Sequence, residues 1–373
     1  MKCLVLLVLL SFLQAAAMAD EVRFYLGTYT EGRTSQGIYT GKLDTGNGRL
    51  GPLELAVATT NPNFLALSPN GKFLYASTGS SVAAFRVEND GRLTALNELP
   101  AGDGTCHVSV DATGRNVFAA NYNGGSVACF QTRTDGSLAV RTAFVQLTGS
   151  GPNPERQKHP YLHSIYAADG NRLVYACDLG TDNIWLFKFD AQNGTLTFGD
   201  GKPGKVPAGS GPRHLALHPG GRFAYVNGEM GLNVTAFARD PVTGALTALQ
   251  TLPTLPEGAP SNGVTTAEIF CHPSGKWLYL SNRGHDSITV YAIAGDGRLK
   301  WIENAPAGVK VPRGFGIDPT GRWLIAAGQQ DNKIALLKID SATGKLSATD
   351  QSAGVGAPIC VIFAPRPPAT VMK

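Results

Sequence analysis

The sequence predicts an all-β fold, a seven-bladed β-propeller of four-stranded blades, and three observations carry that prediction. A Gly-x-Leu turn recurs at Gly48, Gly91, Gly136, Gly194, Gly244, Gly297 and Gly344, at intervals of 43, 45, 58, 50, 53 and 47 residues. Such intervals suit a propeller blade rather than a short solenoid repeat. In step with these turns, apolar stretches flank a Gly-Lys or Gly-Arg turn at 64–77, 107–121, 214–227, 269–282 and 315–328, with a looser copy at 164–178. The two ends of the chain also complement each other, as set out below.

Within each unit, alternation of apolar and polar residues on both sides of a Pro/Asp/Gly turn marks a hairpin of strands A and B. Strand C follows as VAAFRV, SVACFQT, NIWLFKF, NVTAFAR, SITVYAI or KIALLKI, and Gly-x-Leu then leads to a more polar strand D. Six such units fit between about residues 58 and 350. FYLGTYT (24–30) and GIYTGKLDTGNGRL (37–50) supply strands B and C of a seventh, and PICVIFAP (358–365) supplies its strand A. Pairing the N- and C-terminal strands in one blade closes the ring and removes exposed sheet edges.

No Pro/Ser-rich linker or charge block divides the chain, so residues 20–373 read as a single propeller domain. Glycine (45) and proline (23) punctuate turns at a regular period. A net charge of +4, with Lys and Arg spread singly, gives no nucleic-acid surface. At the N-terminus, Lys2, the apolar run Cys3–Leu13 and Ala17-Met18-Ala19 have the form of a signal peptide over 1–19. Export to the periplasm or the extracellular space is expected, without a membrane span. Cleavage leaves Cys106, Cys129, Cys177, Cys271 and Cys360, an odd number, each on a predicted strand and none in metal-ligand spacing.

Strands A and B are antiparallel, so the start of A and the end of B meet at one end of every blade. Polar residues at those places converge on one mouth of the channel: His107 with Asn121 and Tyr122, His163 with Asp178, Arg213 and His214 with Asn227 and Glu229, Glu268 with Asn282 and Arg283, and Arg313 with Gln329. His218 and His272 fall in the A–B turns at the other end, and His285 stands on a loop beside Arg283. Glu268 is expected as a buried partner of Arg283. Arginines among the scattered His and carboxylates oppose a metal cation and suit an anionic substrate instead. No G-x-S-x-G, H-E-x-x-H or P-loop motif is present.

The segments 106–130, 210–229, 279–293 and 312–334 resemble the seven-bladed lactonase family, which includes propeller-type 6-phosphogluconolactonases and fungal carboxy-muconate cyclases. The resemblance covers about residues 24–365 and implies a catalytic group of His163, Arg213, Glu229 and Arg283. Bacterial relatives carry a further His where KHPYLHS has Tyr161, with His159 two residues away. Lactone hydrolysis needs a base near neutrality and donors for the oxyanion. Either His163 or Glu229 could be the base; His163, which titrates nearest neutrality, is favoured, with Glu229 as its partner or the group that positions the water, and Arg213 and Arg283 suit the oxyanion. His107, Asn121, Arg313 and His285 are expected to contact the substrate, a small anionic or polyhydroxylated lactone, with no cofactor or metal. Two other readings stand beside hydrolysis: a muconate-type lactonising isomerase, and an exported binding propeller without catalysis.

Overall fold

The computed structural model describes residues 21–168 and 170–365, all of them in strands, turns or irregular segments. The expected signal peptide lies outside the described residues.

Pro212–Leu217, Phe223–Gly228, Asn233–Arg239 and Leu246–Pro253 form one blade in simple antiparallel order. The next two blades repeat it, from Thr265–Cys271 to Leu299–Pro306 and from Pro312–Ile317 to Leu346–Gly354. In the blade that begins at Leu162–Ala168 the outer strand is broken into Thr195–Phe198 and Gly204–Lys205. The first two blades share one seven-stranded sheet, because Leu93–Val110 runs unbroken from one to the other. Its residues 93–100 pair with Gly79–Val87 and its residues 105–110 with Asn116–Asn121, so seven blades occupy six hydrogen-bonded sheets. The ring closes as expected: Pro358–Phe363 lies antiparallel to Glu21–Thr28, with Leu26 opposite Val361.

The core is seven apolar layers, one in each seam between neighbouring blades. Ala216, Phe223 and Tyr225, for example, pack against Ile269, Leu278 and Leu280 of the next blade. Strand B is covered on both faces, and Phe223–Gly228 is buried throughout. That is why the B segments read as near-continuous apolar runs, whereas outer strands such as Leu346–Gly354 alternate with solvent. Cys129, Cys177 and Cys360 are buried in these layers, Cys106 and Cys271 are partly so, and all five are free thiols.

In five of the seven seams the Gly-x-Leu turn has a tyrosine partner. Hydroxyls of Tyr25, Tyr75, Tyr175, Tyr225 and Tyr279 donate to the carbonyls of Gly91, Gly136, Gly244, Gly297 and Gly344 of the following blade, at 2.6–3.1 Å. Gly297 has φ +83°, and a Cβ there would stand 2.3 Å from the Phe223 ring. Gly297→Ala is therefore expected to cost about 2–4 kcal/mol in urea unfolding, from left-handed strain plus overpacking. Gly295→Ala, two residues away with open space around it, should leave the midpoint unchanged.

One irregularity recurs in register. In six blades strand A bulges at its start: Cys106, His163 and Arg313 are each extra residues, Arg213-His214 and Ala267-Glu268 oppose single residues, and Ile359 is extra in the closing blade. In the remaining blade Asn63 and Phe64 both bond Ser77. A bulge re-aims side chains, and here it turns two consecutive residues per blade toward the channel. The result is an upper ring containing Cys106, His163, Arg213 and Arg313, and a lower ring containing Phe64, His107, Ser164, His214 and Glu268.

Candidate active site

A pocket of about 470 Å³ opens at the mouth the sequence pointed to. Its walls come from the upper ring and from residues at or just past the end of strand B, namely Tyr29, Tyr122, Glu229 and Arg283. Glu229 is the centre. Arg213 Nε donates to its Oε2 at 3.1 Å, Arg283 Nη2 lies 3.1 Å from the same oxygen, and Arg156 Nη2 donates to Oε1 at 2.8 Å. Burial pushes the Glu229 carboxyl up, but Arg283, Arg213 and Arg156 outweigh it and hold the group down at about 2. The carboxylate is thus ionised at any working pH.

His163 Nε2 stands 3.9 Å from Glu229 Oε2, and its Nδ1 is buried without a partner. Burial, followed by the nearby Arg213 charge, pushes its imidazole well below the ordinary histidine range, so it is neutral at pH 7. The ring packs edge-on against Tyr122 at 5.4 Å and His214 at 5.2 Å, which fixes its plane. Arg213 is held from below as well: Nη1 donates to Ala267 O at 2.7 Å and meets His214 Nε2 at 3.2 Å. Arginine offers only donors, so His214 Nε2 accepts and its Nδ1 proton goes to Glu268 Oε1 at 2.7 Å. Burial pushes the Glu268 carboxyl up to about 8.

The structure brings His163, Arg213, Glu229 and Arg283 together, with Arg313 on the same wall over the Tyr29 ring at 5.6 Å. Three other expected substrate contacts lie elsewhere. Asn121 is buried and bonded to Ala101 O, Ser126 Oγ and Thr105 Oγ1, a strand-end brace. His285 bonds Ser287 Oγ at 2.8 Å and does not line the pocket. His107 belongs to the lower ring, because the bulge puts Cys106 where His107 was expected. Glu268 pairs with His214, and the carboxylate facing Arg283 is Glu229. His218 and His272 do face the other end, where they bond Gly275 O and Gly321 O of the neighbouring blades.

Sequence reasoning missed Arg156. It comes from the loop between Leu138–Gln146 and Leu162–Ala168, tied down by Gln157 Nε2 to Leu179 O and Asp182 Oδ1. The one signal for it is the 58-residue interval between Gly136 and Gly194, the longest of the series. Three guanidiniums, of Arg156, Arg213 and Arg283, therefore surround the Glu229 carboxylate, and Arg313 lines the same pocket, leaving an excess of positive charge. Among the described residues no group of three or more His, Cys, Asp or Glu is arranged to hold a metal ion. A larger cleft of about 660 Å³ at the edge of the closing blade carries surface charges of both signs, including the exposed Lys42–Glu21 pair.

Residues 23–363 match the family described as "Lactonase, 7-bladed beta-propeller". The chain belongs to that family. It is 36% identical over 346 residues to a 6-phosphogluconolactonase of Bacillus subtilis, covering 91% of this chain and 97% of the relative. A 6-phosphogluconolactonase of Formosa agariphila is 33% identical over 341 residues, covering 88% and 95%. The solved structure of a periplasmic gluconolactonase of Pseudomonas aeruginosa superposes with a TM-score of 0.86 at 28% identity, over 93% of this chain and all of the other. The lactonase-family propeller thus has the fold that the repeat predicted, and no helix among its described residues is long and apolar enough to cross a membrane.

Proposed function

We propose that this chain hydrolyses a small anionic or polyhydroxylated lactone in the Glu229 pocket, without a metal. The observation that carries the reading is the neutral, ring-packed His163 beside a carboxylate surrounded by guanidiniums. The names of the relatives support the same chemistry.

The residues suggest the following sequence. With the proton of His163 on Nδ1, its Nε2 lone pair takes a proton from a water that attacks the lactone carbonyl. Glu229, 3.9 Å away, stabilises the imidazolium so formed. Arg213 and Arg283 face the oxyanion, and Arg313 and Arg156 hold substrate charge. The ring C–O bond then breaks and the leaving alkoxide recovers the proton from His163, which gives the hydroxy acid. Export, supported by the N-terminal segment and by the periplasmic relative, favours an unphosphorylated aldonolactone.

A pH-stat assay on glucono-1,5-lactone, its 6-phosphate and a muconolactone, with EDTA present, tests this. Acid release unaffected by chelator supports hydrolysis; silence on all three would favour a binding propeller, and conversion without acid release an isomerase. The pH profile is a second check. A base with its pKa pushed below the ordinary 6.5 is active above that pKa and lost below it. The acid limb of kcat/KM is therefore expected below pH 6.5; a limb centred above 7 would exclude His163 as the base.

A further inference from the structure

Beneath the lower ring the channel widens again into a second cavity of about 380 Å³, open toward the end away from the catalytic pocket. Phe64, His107 and His214 close the passage between the two: Phe64 stacks on His107 at 4.3 Å, and both rings meet His214 edge-on at 5.4 and 5.3 Å. The wall of this second cavity is mostly apolar, with Leu217, Phe270 and Ile362 among its residues. Its inner end is different. His107, 1% exposed, lines it, and the His107 Nε2 is buried with no partner. His107 Nδ1 accepts from Ile165 N at 3.4 Å, so the neutral ring carries its proton on Nε2, a donor with no acceptor. The Ser109 hydroxyl, next along the same strand face, is also buried without a partner.

Unsatisfied buried donors cost free energy, and a mostly apolar wall gives ordered water few of the partners it needs. We propose that the cavity is a binding site for a small uncharged apolar molecule bearing one hydrogen-bond-accepting oxygen, such as a medium-chain alcohol or ketone. The oxygen accepts from His107 Nε2 and Ser109 Oγ, and the hydrocarbon lies against Leu217, Phe270 and Ile362. An anionic head does not fit, because no Lys or Arg lines the cavity and Glu268 stands at its inner end.

The test is calorimetric titration with 1-octanol, and with octanoate at pH 8 for comparison. Saturable 1-octanol binding, at least tenfold tighter than octanoate, is expected from the natural protein. Leu217→Trp, which fills the cavity, should abolish it while the thermal midpoint stays within a few degrees; if that variant does not fold, Ala66→Leu narrows the same space and should weaken binding at least tenfold. Ser109→Ala should weaken it about fivefold. No saturable binding, equal affinity for octanoate, or binding that survives the cavity-filling change would overturn the proposal. Displacement of 1-octanol by a lactone would also overturn it, since the ligand would then sit in the catalytic pocket.

Discussion

His163→Gln is expected to lower kcat for lactone hydrolysis by about 10²–10⁴-fold, the usual worth of a positioned general acid or base. KM should change by only a few-fold, because Arg283 and Arg313, which line the pocket, keep their supports. Gln approximates the volume of the ring but cannot hold a proton in transit. The change should cost little stability: His163 makes no hydrogen bond through Nδ1, and its Nε2 is 3.9 Å from Glu229. Steady-state kinetics beside thermal unfolding separates the two effects. Turnover retained within a few-fold, with Glu229→Gln inactive, would transfer the proton to Glu229. The environment of Glu229 argues against that exchange, since a carboxylate held near 2 by three guanidiniums is a weak base.

The blade period and strand order were legible because each rests on local chemistry repeated seven times: a turn that needs Gly, and strands whose burial shows as alternation. Strand direction alone placed Arg213, Glu229 and Arg283 at one mouth. The misplacement of His107 has a definite source. Strand A was read as regular, whereas a bulge at its start inserts a residue, and a shift of one residue changes where a side chain points. In the blade of His163 the bulge falls on the histidine itself; in the blade of His107 it falls on Cys106, and the histidine drops into the floor. The two histidines look equivalent in sequence and occupy different rings. No composition or spacing rule marks a bulge, because it is fixed by how neighbouring strands crowd the channel. Arg156 escaped for another reason. It lies outside the repeat, on an inserted loop, and only tertiary packing tells which loop folds over the mouth.

The lower ring also explains why the arginines hold still. Glu268, His214 and Arg213 form a buried chain in which each side chain fixes the next, so the Arg213 guanidinium is aimed before substrate arrives. Such preorganisation lets a charge act on a developing oxyanion without reorganisation at the moment of reaction.

Glu229→Gln should produce the largest loss of stability of any single change in the pocket. It removes the carboxylate that pairs with Arg156, Arg213 and Arg283, two of which are largely buried, with side chains 3% and 14% exposed. Breaking a buried ion pair from one side costs about 3–5 kcal/mol, because the stranded charges are no longer compensated. The pH dependence provides a check on the cause. The carboxyl titrates near 2 in the folded chain against 4.5 for a free Glu. A depressed pKa contributes stability that is complete above 4.5 and is lost as pH falls toward 2, worth about 3 kcal/mol. The gap between natural protein and variant in urea unfolding should therefore be widest at neutral pH and narrow as pH falls below 4.5. A gap independent of pH would mean that shape and not charge was lost. Phosphate or gluconate in the buffer should restore part of the variant's midpoint by supplying the missing negative charge to the same guanidiniums. Recovery by either anion, larger in the variant than in the natural protein, would show that the anion takes the place of the Glu229 carboxylate among these guanidiniums.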